Sequence, residues 1–308
     1  MKNIAVIDLG TNTFNLLIAN QAGEFVYKEK TQVKLGKDGI SKGIIAAEAF
    51  QRALDAMMCF KKSIEAFGTS KIIAVGTSAL RNAANARELI TKISTATGID
   101  VQVISGEKEA EYIYEGVKRA VPIGKRPSLV VDIGGGSVEF IIGDESGIFW
   151  KGSFEIGAQR LVDLFHHTEP MEKQAIKALF AFLKEQLKPV AENIKKYVPK
   201  ILIGSSGTFD TLAEIDIQKR GLQIQYKDKK EYEMSIEEYA ALYTQIIEKT
   251  REERMAIPGM IEMRVDMIVV ACCLIQFMIQ EFDLQKICIS AFSLKEGVLF
   301  QENVSPLN

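Results

Sequence analysis

The sequence predicts an α/β fold made of two related halves, and three observations carry that prediction. Strand-like apolar runs alternate with helical stretches along the chain, a short motif recurs without gaps at an offset of 124 residues, and a Pro/Gly/cation segment separates its two copies. With 308 residues, 47% of them apolar and 25% charged, the chain has an ordinary globular composition and the length for two cores.

The elements follow in order. "MKNIAVIDLG" reads as a first strand. "AAEAFQRALDAMMCFKKSIEAFG" reads as a helix stopped by Gly68, a usual residue just past a helix end. Strands follow at "KIIAV" from Lys71 and "VQVI" from Val101, then the helix "GEKEAEYIYEGVKRAV", whose Ala110, Ile113, Tyr114 and Val117 form one apolar stripe. "VPIGKRPS", Val121 to Ser128, looks like the junction, so the expected domains are 1–124 and 125–308. Beyond it come the strands "SLVVDI", "KILIG" and "KICIS". The helices there are "EKQAIKALFAFLKEQLKPVAENIKKY", "SIEEYAALYTQIIEKTREER" and the one holding Val269 to Met278, so the second half is richer in helix.

Composition excludes several classes. A formal net charge of -2 gives no global field for nucleic acid or a membrane surface, so neither is expected as a partner, and a polyanion must be held by a local cluster of cations. Cys59, Cys272, Cys273 and Cys288 show no CxxC or metal-ligand spacing and read as reduced thiols of a cytoplasmic protein. The N-terminus lacks the features of a secretory signal, and the longest apolar run, "MIVVACCLIQFMI", is too short to span a bilayer and reads as a buried helix. The only histidines, His166 and His167, are adjacent and read as a surface loop pair, which leaves acid/base chemistry to carboxylates.

The repeat locates that chemistry. Laid on "AVIDLGTNTFNLLI", the stretch "VVDIGGGSVEFIIG" matches Asp132 to Asp8, Gly134 to Gly10 and Ser137 to Thr13, with apolar residues coinciding on both sides. Each copy reads as a strand, a tight glycine turn and a second strand. Such a turn lets an anion approach backbone amides and hydroxyls, and the aspartate ending the first strand can hold magnesium, which favours one or two carboxylates plus substrate phosphates. A third glycine turn, "LIGSSGTFDTLAEI", follows a strand and opens a helix, where anions and nucleotides bind; it lacks the lysine of a P-loop.

Two such hairpins with the third glycine turn resemble the sugar kinase, Hsp70 and actin superfamily. Within it, "IDLGTNTFNLLI", "VGTSALRNAANA", "ISGEKEAEYIYEGV", "VVDIGGGSVEFIIG", "GSSGTFDTLAEI", "IPGMIEMRVDMI" and "SLKEGVLF" occur in this order over nearly the whole chain. Together they resemble the exopolyphosphatase and guanosine pentaphosphate phosphohydrolase family, in its short two-domain form. The resemblance implies two actin-like (ribonuclease H-like) domains with a central cleft. It also implies a magnesium-dependent hydrolase that releases the terminal phosphate of inorganic polyphosphate or of guanosine pentaphosphate. Glu109 is then the catalytic base and Arg81 a phosphate contact; Asp8, Asp132 and Glu139 are metal groups. Phosphate contacts fall to Gly10, Thr11, Asn12 and Thr13, to Gly134, Gly135, Gly136 and Ser137, and at the third turn to Gly204, Ser206, Gly207 and Thr208. Thr11 and Thr13 replace the family's serines and keep the hydroxyl, while Glu107-Lys108 stands where an acidic residue often precedes the base.

Each residue also has a plainer reading. Glu107, Glu109 and Glu111 sit near a helix N-terminus, where the dipole favours carboxylates. Arg81 could pair with a surface carboxylate, and Glu139 could lie on a solvated strand face opposite Val138 and Phe140. Two other functions stay open: a kinase or ATPase of the same superfamily that uses the turn at Gly204 for adenosine, and a non-catalytic sensor of polyphosphate or a nucleotide. A homodimer is left open.

Overall fold

The computed structural model describes residues 3–224 and 226–303. It divides into two compact units: the first takes in residues up to Gly116, the turn Gly134–Gly136 and the residues from Ser293 on, and the second takes in Val117–Ile133 and Ser137–Phe292.

The first unit is built on a five-stranded sheet. The hairpin of β1 (Asn3–Leu9) and β2 (Thr13–Ala19) continues into β3 (Phe25–Gln32), after which α1 (Ala47–Ala66) carries the chain across to β4 (Thr69–Gly76). Then come α2 (Ser78–Asn82), α3 (Ala86–Thr97), β5 (Val101–Val103) and α4 (Gly106–Ala120). The strand order is β3-β2-β1-β4-β5, antiparallel through β1–β3 and parallel from β1 to β5, because a parallel neighbour can be reached only by a crossover. Ile7, Leu9, Phe14, Leu16 and Ile18 form one core with Phe50, Met57 and Phe60 of α1 and Leu89 and Ile93 of α3. Each such side chain contributes roughly 1.5–3 kcal/mol by leaving water. Helix α1 ends as expected: Gly68 takes φ +58° and its N–H bonds to Glu65 O at 3.1 Å. Val26, Lys28 and Lys30 are exposed along the edge strand β3, where lysines discourage further pairing.

The second unit repeats this plan. Its elements are β6 (Ser128–Ile133), β7 (Val138–Asp144), β8 (Gly147–Phe154), α5 (Ala158–Phe165), α6 (Lys173–Gln186), α7 (Lys188–Tyr197), β9 (Ile201–Ser205), α8 (Gly207–Lys219) and α9 (Tyr226–Lys229). Next are β10 (Glu231–Met234), α10 (Ile236–Ile247), α11 (Arg251–Met255), α12 (Met267–Phe282) and β11 (Lys286–Ser290). Its sheet runs β8-β7-β6-β9-β11-β10, so β6 to β9 and β11 copy β1 to β5, and the antiparallel β10 is an addition. The pairing registers repeat as well: Asp8 faces Asn15 and Asp132 faces Glu139, each 124 residues on. This duplicated order is the actin-like arrangement the resemblance implied.

Helix α12 is apolar on nearly every side and fills the core among α5, α6 and α10, with the Tyr239 hydroxyl donating to Cys272 O at 2.6 Å. Among the described residues no helix is long and apolar enough to cross a membrane. Two expected helices are each broken in two. Leu187 separates α6 from α7 because Pro189 lies in the first turn of the new helix, where its missing N–H costs nothing. Thr250 separates α10 from α11 by starting a second capping box, in which it accepts from Glu253 N–H while the Glu253 carboxylate accepts from Thr250 N–H. The last helix, α13 (Leu294–Asn303), belongs to the first unit and packs on β1 and β2.

Candidate active site

In the first unit Asp8 lies one residue from the end of β1. Its cross-strand partner Asn15 shares its face, and Asn15 Nδ2 donates to Asp8 Oδ2 at 3.0 Å. The turn closes through Gly10 N–H to Thr13 O at 3.1 Å, and Thr11, Asn12 and Thr13 are buried. The Asn12 side-chain nitrogen has no hydrogen-bond partner among the described residues. A β-carbon on Gly136 would lie 2.5 Å from both Thr11 Oγ1 and Ser78 Oγ, so only glycine fits there.

Arg81 and Glu109 reach each other from separate helices. Thr77 O accepts from Arg81 N–H at 2.9 Å as α2 leaves β4, and Ser105 starts α4, its hydroxyl accepting from Lys108 N–H at 3.2 Å. That places Glu109 in the first turn of α4, where a carboxylate is favoured by the dipole. Arg81 Nη1 donates to Glu109 Oε2 at 2.9 Å and to Ile104 O at 3.1 Å. Their side chains are only 18% and 8% exposed, so the plainer reading of Arg81 as a surface pair gives way to a largely buried one, while the helix-start reading of Glu109 stands.

In the second unit Asp132 and Glu139 are a cross-strand pair on one face. Glu139 is 1% exposed, which overturns the solvated strand face: β7 is covered on both sides. Ser205 Oγ donates to Asp132 Oδ2, and Ser153 Oγ to Glu139 Oε1, both at 2.7 Å. Ser137 and Thr208 are buried.

The third glycine turn leaves β9 through Ser206, held at φ +76° and ψ 179°, and opens α8 at Gly207. A β-carbon on Gly207 would lie 1.9 Å from Arg264 Nη2, because the Arg264 guanidinium lies against the start of the helix. Burial lowers the pKa of that guanidinium from its ordinary value, and the charges of Asp210 and Asp132 oppose the shift. A β-carbon on Gly204 would meet the Phe209 ring at 2.1 Å, so packing alone requires that glycine.

Among the proposed residues the structure brings Arg81 to Glu109, Asp132 to Glu139, and Thr11 to Gly136. Among the described residues no three His, Cys, Asp or Glu side chains converge as a preformed metal cage. Four residues that touch these groups escaped the sequence: Asn15, Ser153, Ser205 and Arg264. Asn15 stands where the repeat places Glu139, Ser205 lies inside "GSSG" and Arg264 inside "IPGMIEMRVDMI", whereas Ser153 carried no such signal. His166 is a further correction. Its side chain is 3% exposed, with Nε2 3.3 Å from Glu169 Oε1, beside the fully buried Arg254 that grips Glu169 through Nη1 at 2.8 Å and Nη2 at 2.7 Å.

Known proteins share this architecture. A solved exopolyphosphatase from Cytophaga hutchinsonii is 45% identical with a TM-score of 0.96, each chain covered over 98%. A Ppx/GppA family member from Aquifex aeolicus is 24% identical with a TM-score of 0.80, covering 100% of this chain and 99% of its own, and shares the fold. The model of the Ppx/GppA phosphatase family matches residues 17–305. Duplicated sheets, paired glycine hairpins and a match along nearly the whole length agree: the chain belongs to the Ppx/GppA phosphatase family.

Proposed function

We infer that the protein is an exopolyphosphatase that releases the terminal phosphate of inorganic polyphosphate, with Glu109 as general base. The observation that carries this reading is the buried pair of Glu109 with Arg81 at 2.9 Å. The likeness to an exopolyphosphatase over 98% of the chain supports it. Phosphoanhydride hydrolysis asks the protein to position water in line and to neutralise the phosphoryl oxygens. Glu109 takes the proton of the attacking water, whose oxygen bonds to the terminal phosphorus as the bond to the bridging oxygen breaks. Orthophosphate and a chain one unit shorter result. The planar fork of Arg81 orients the Glu109 carboxylate and suits phosphate oxygens. The amides and hydroxyls of Gly10–Thr13, those of Gly134–Ser137, and the helix N-terminus at Gly204–Thr208 are each read as phosphate contacts.

Asp8 in the first unit, and Asp132 and Glu139 in the second, each offer the hard carboxylate oxygens that magnesium prefers, and Ser205 and Ser153 hold Asp132 and Glu139 in place. Bound there, the ion would neutralise charge on the phosphate oxygens.

The test is phosphate release from long polyphosphate, short polyphosphate, guanosine pentaphosphate and ATP, each with and without a chelator. Chelator-sensitive release from polyphosphate supports the reading. Preference for guanosine pentaphosphate moves the activity to that substrate, and preference for ATP with transfer to an acceptor overturns hydrolysis.

A further inference from the structure

The loop between β3 and residue 40 makes an unusual set of contacts with the first hairpin turn. Gly36 N–H donates to Thr11 O at 2.9 Å, and Val33 N–H and Lys34 N–H both donate to Asn12 O, at 3.0 and 2.8 Å. Three donors thus hold the two carbonyls of the turn. In a trans peptide the N–H points opposite to the carbonyl of the same unit, so the N–H groups of Asn12 and Thr13 are turned away from the loop. Successive amides so aligned make a concavity for an anion. The Asn12 side-chain nitrogen, buried and without a partner among the described residues, is a second donor at the same turn.

Arg52 of α1 holds the loop in turn, with Nε donating to Val33 O at 2.6 Å and Nη2 to Lys34 O at 3.1 Å. The carbonyl of Val33 and the N–H of Lys34 belong to one peptide group, as do the carbonyl of Asn12 and the N–H of Thr13. A continuous relay therefore runs from the Arg52 guanidinium through Val33–Lys34 and Asn12–Thr13 to the Thr13 N–H. Each link polarises the next, so a fixed positive charge at one end makes the last N–H a stronger donor. The loop also sits hard against the turn: a β-carbon on Gly36 would lie 2.5 Å from Thr11 Cγ2.

We propose that Arg52 is a positioning residue for substrate phosphate, acting through the loop Val33–Gly36 to align and polarise the amides of the Thr11–Asn12 turn. It touches no substrate itself. The proposal rests on the reading that this turn binds the phosphate chain.

The test measures turnover of polyphosphate together with calorimetric binding of tripolyphosphate and magnesium, for wild type, Arg52→Gln and Arg52→Lys. Arg52→Gln should weaken binding and raise KM about tenfold with kcat within about threefold, and Arg52→Lys, which keeps the charge, should recover much of the loss. An unchanged KM and affinity in Arg52→Gln, or a fall in kcat alone, overturns the proposal. A second arm does not depend on Arg52 variants folding. Gly36→Ala should weaken tripolyphosphate binding strongly with Thr11 present and far less in the Thr11→Ser background, which lacks the methyl group that the new carbon meets. Equal losses in the two backgrounds overturn it. Should the wild type fail to hydrolyse polyphosphate, the assigned reaction falls, while the binding arms still decide the role of Arg52.

Discussion

Arg81 Nη1 donates to Glu109 Oε2 across 2.9 Å, joining the end of α2 to the start of α4 inside the first unit. Glu109→Gln keeps the size of the side chain and one accepting oxygen but removes the proposed base. Turnover should fall by about a hundred- to ten-thousandfold, the range for general base catalysis, while calorimetry finds tripolyphosphate binding within a few-fold of wild type. Unchanged turnover would reject Glu109 as the base.

Removing the other partner acts on stability first. Arg81→Met leaves the Glu109 carboxylate buried without its cation, and a loss of about 3 kcal/mol is expected, visible as a lower urea midpoint at constant slope. The double variant Arg81→Met/Glu109→Gln should recover part of that loss without recovering activity.

Ser205 holds Asp132, a residue proposed to bind magnesium, across 2.7 Å. Ser205→Ala should raise the magnesium concentration for half-maximal activity by roughly ten- to a hundredfold, the usual cost of losing a group that orients a ligand. A titration of activity against magnesium checks it, and an unshifted curve removes Asp132 from the metal site.

The turn into α8 offers two substitutions of opposite sign. Gly207→Ala drives a carbon into the Arg264 guanidinium and should cost about 1–3 kcal/mol. Ser206→Gly relieves a backbone held at φ +76° and ψ 179° and should add about 1 kcal/mol. Thermal unfolding of the two variants distinguishes the signs.

His166 gives a pH dependence. Burial, aided by the positive charge of Arg254 and opposed by Glu169, holds its pKa below the ordinary value. Between that depressed value and about 6.5 the unfolded chain binds the extra proton and the folded one does not, so stability should fall as pH drops through this window. His166→Gln should flatten the fall; denaturant titrations at successive pH values measure it.

What the sequence made legible was local and repeated. The two hairpins show themselves because Asp, Gly and hydroxyl recur at one spacing, and the pairing of Asp8 with Asn15 and Asp132 with Glu139 follows that spacing. The breaks at Leu187 and Thr250 were missed because apolar spacing runs through them, although Pro189 and the pattern Thr250 to Glu253 were there to be read. Burial of Glu139 and of His166 was not readable. Alternation within one strand says nothing about what covers its second face, and adjacent histidines say nothing about an arginine found 85 residues from Glu169 in the chain. Ser153 and Ser205 meet their carboxylates only once β8 and β9 have paired with their neighbours.

The hydrogen bond from Ser205 to Asp132 spans 73 residues, whereas the hairpin that presents Asp132 closes within a few. Hairpins form in microseconds, but a parallel pairing waits on closure of the long crossover between β6 and β9. During refolding the strands that carry the aspartate should therefore appear before the group that orients it. The single tryptophan, Trp150, sits in β8 on the early side of that sequence. Its fluorescence should recover ahead of catalytic activity, and the interval between the two would include the pairing of β6 with β9.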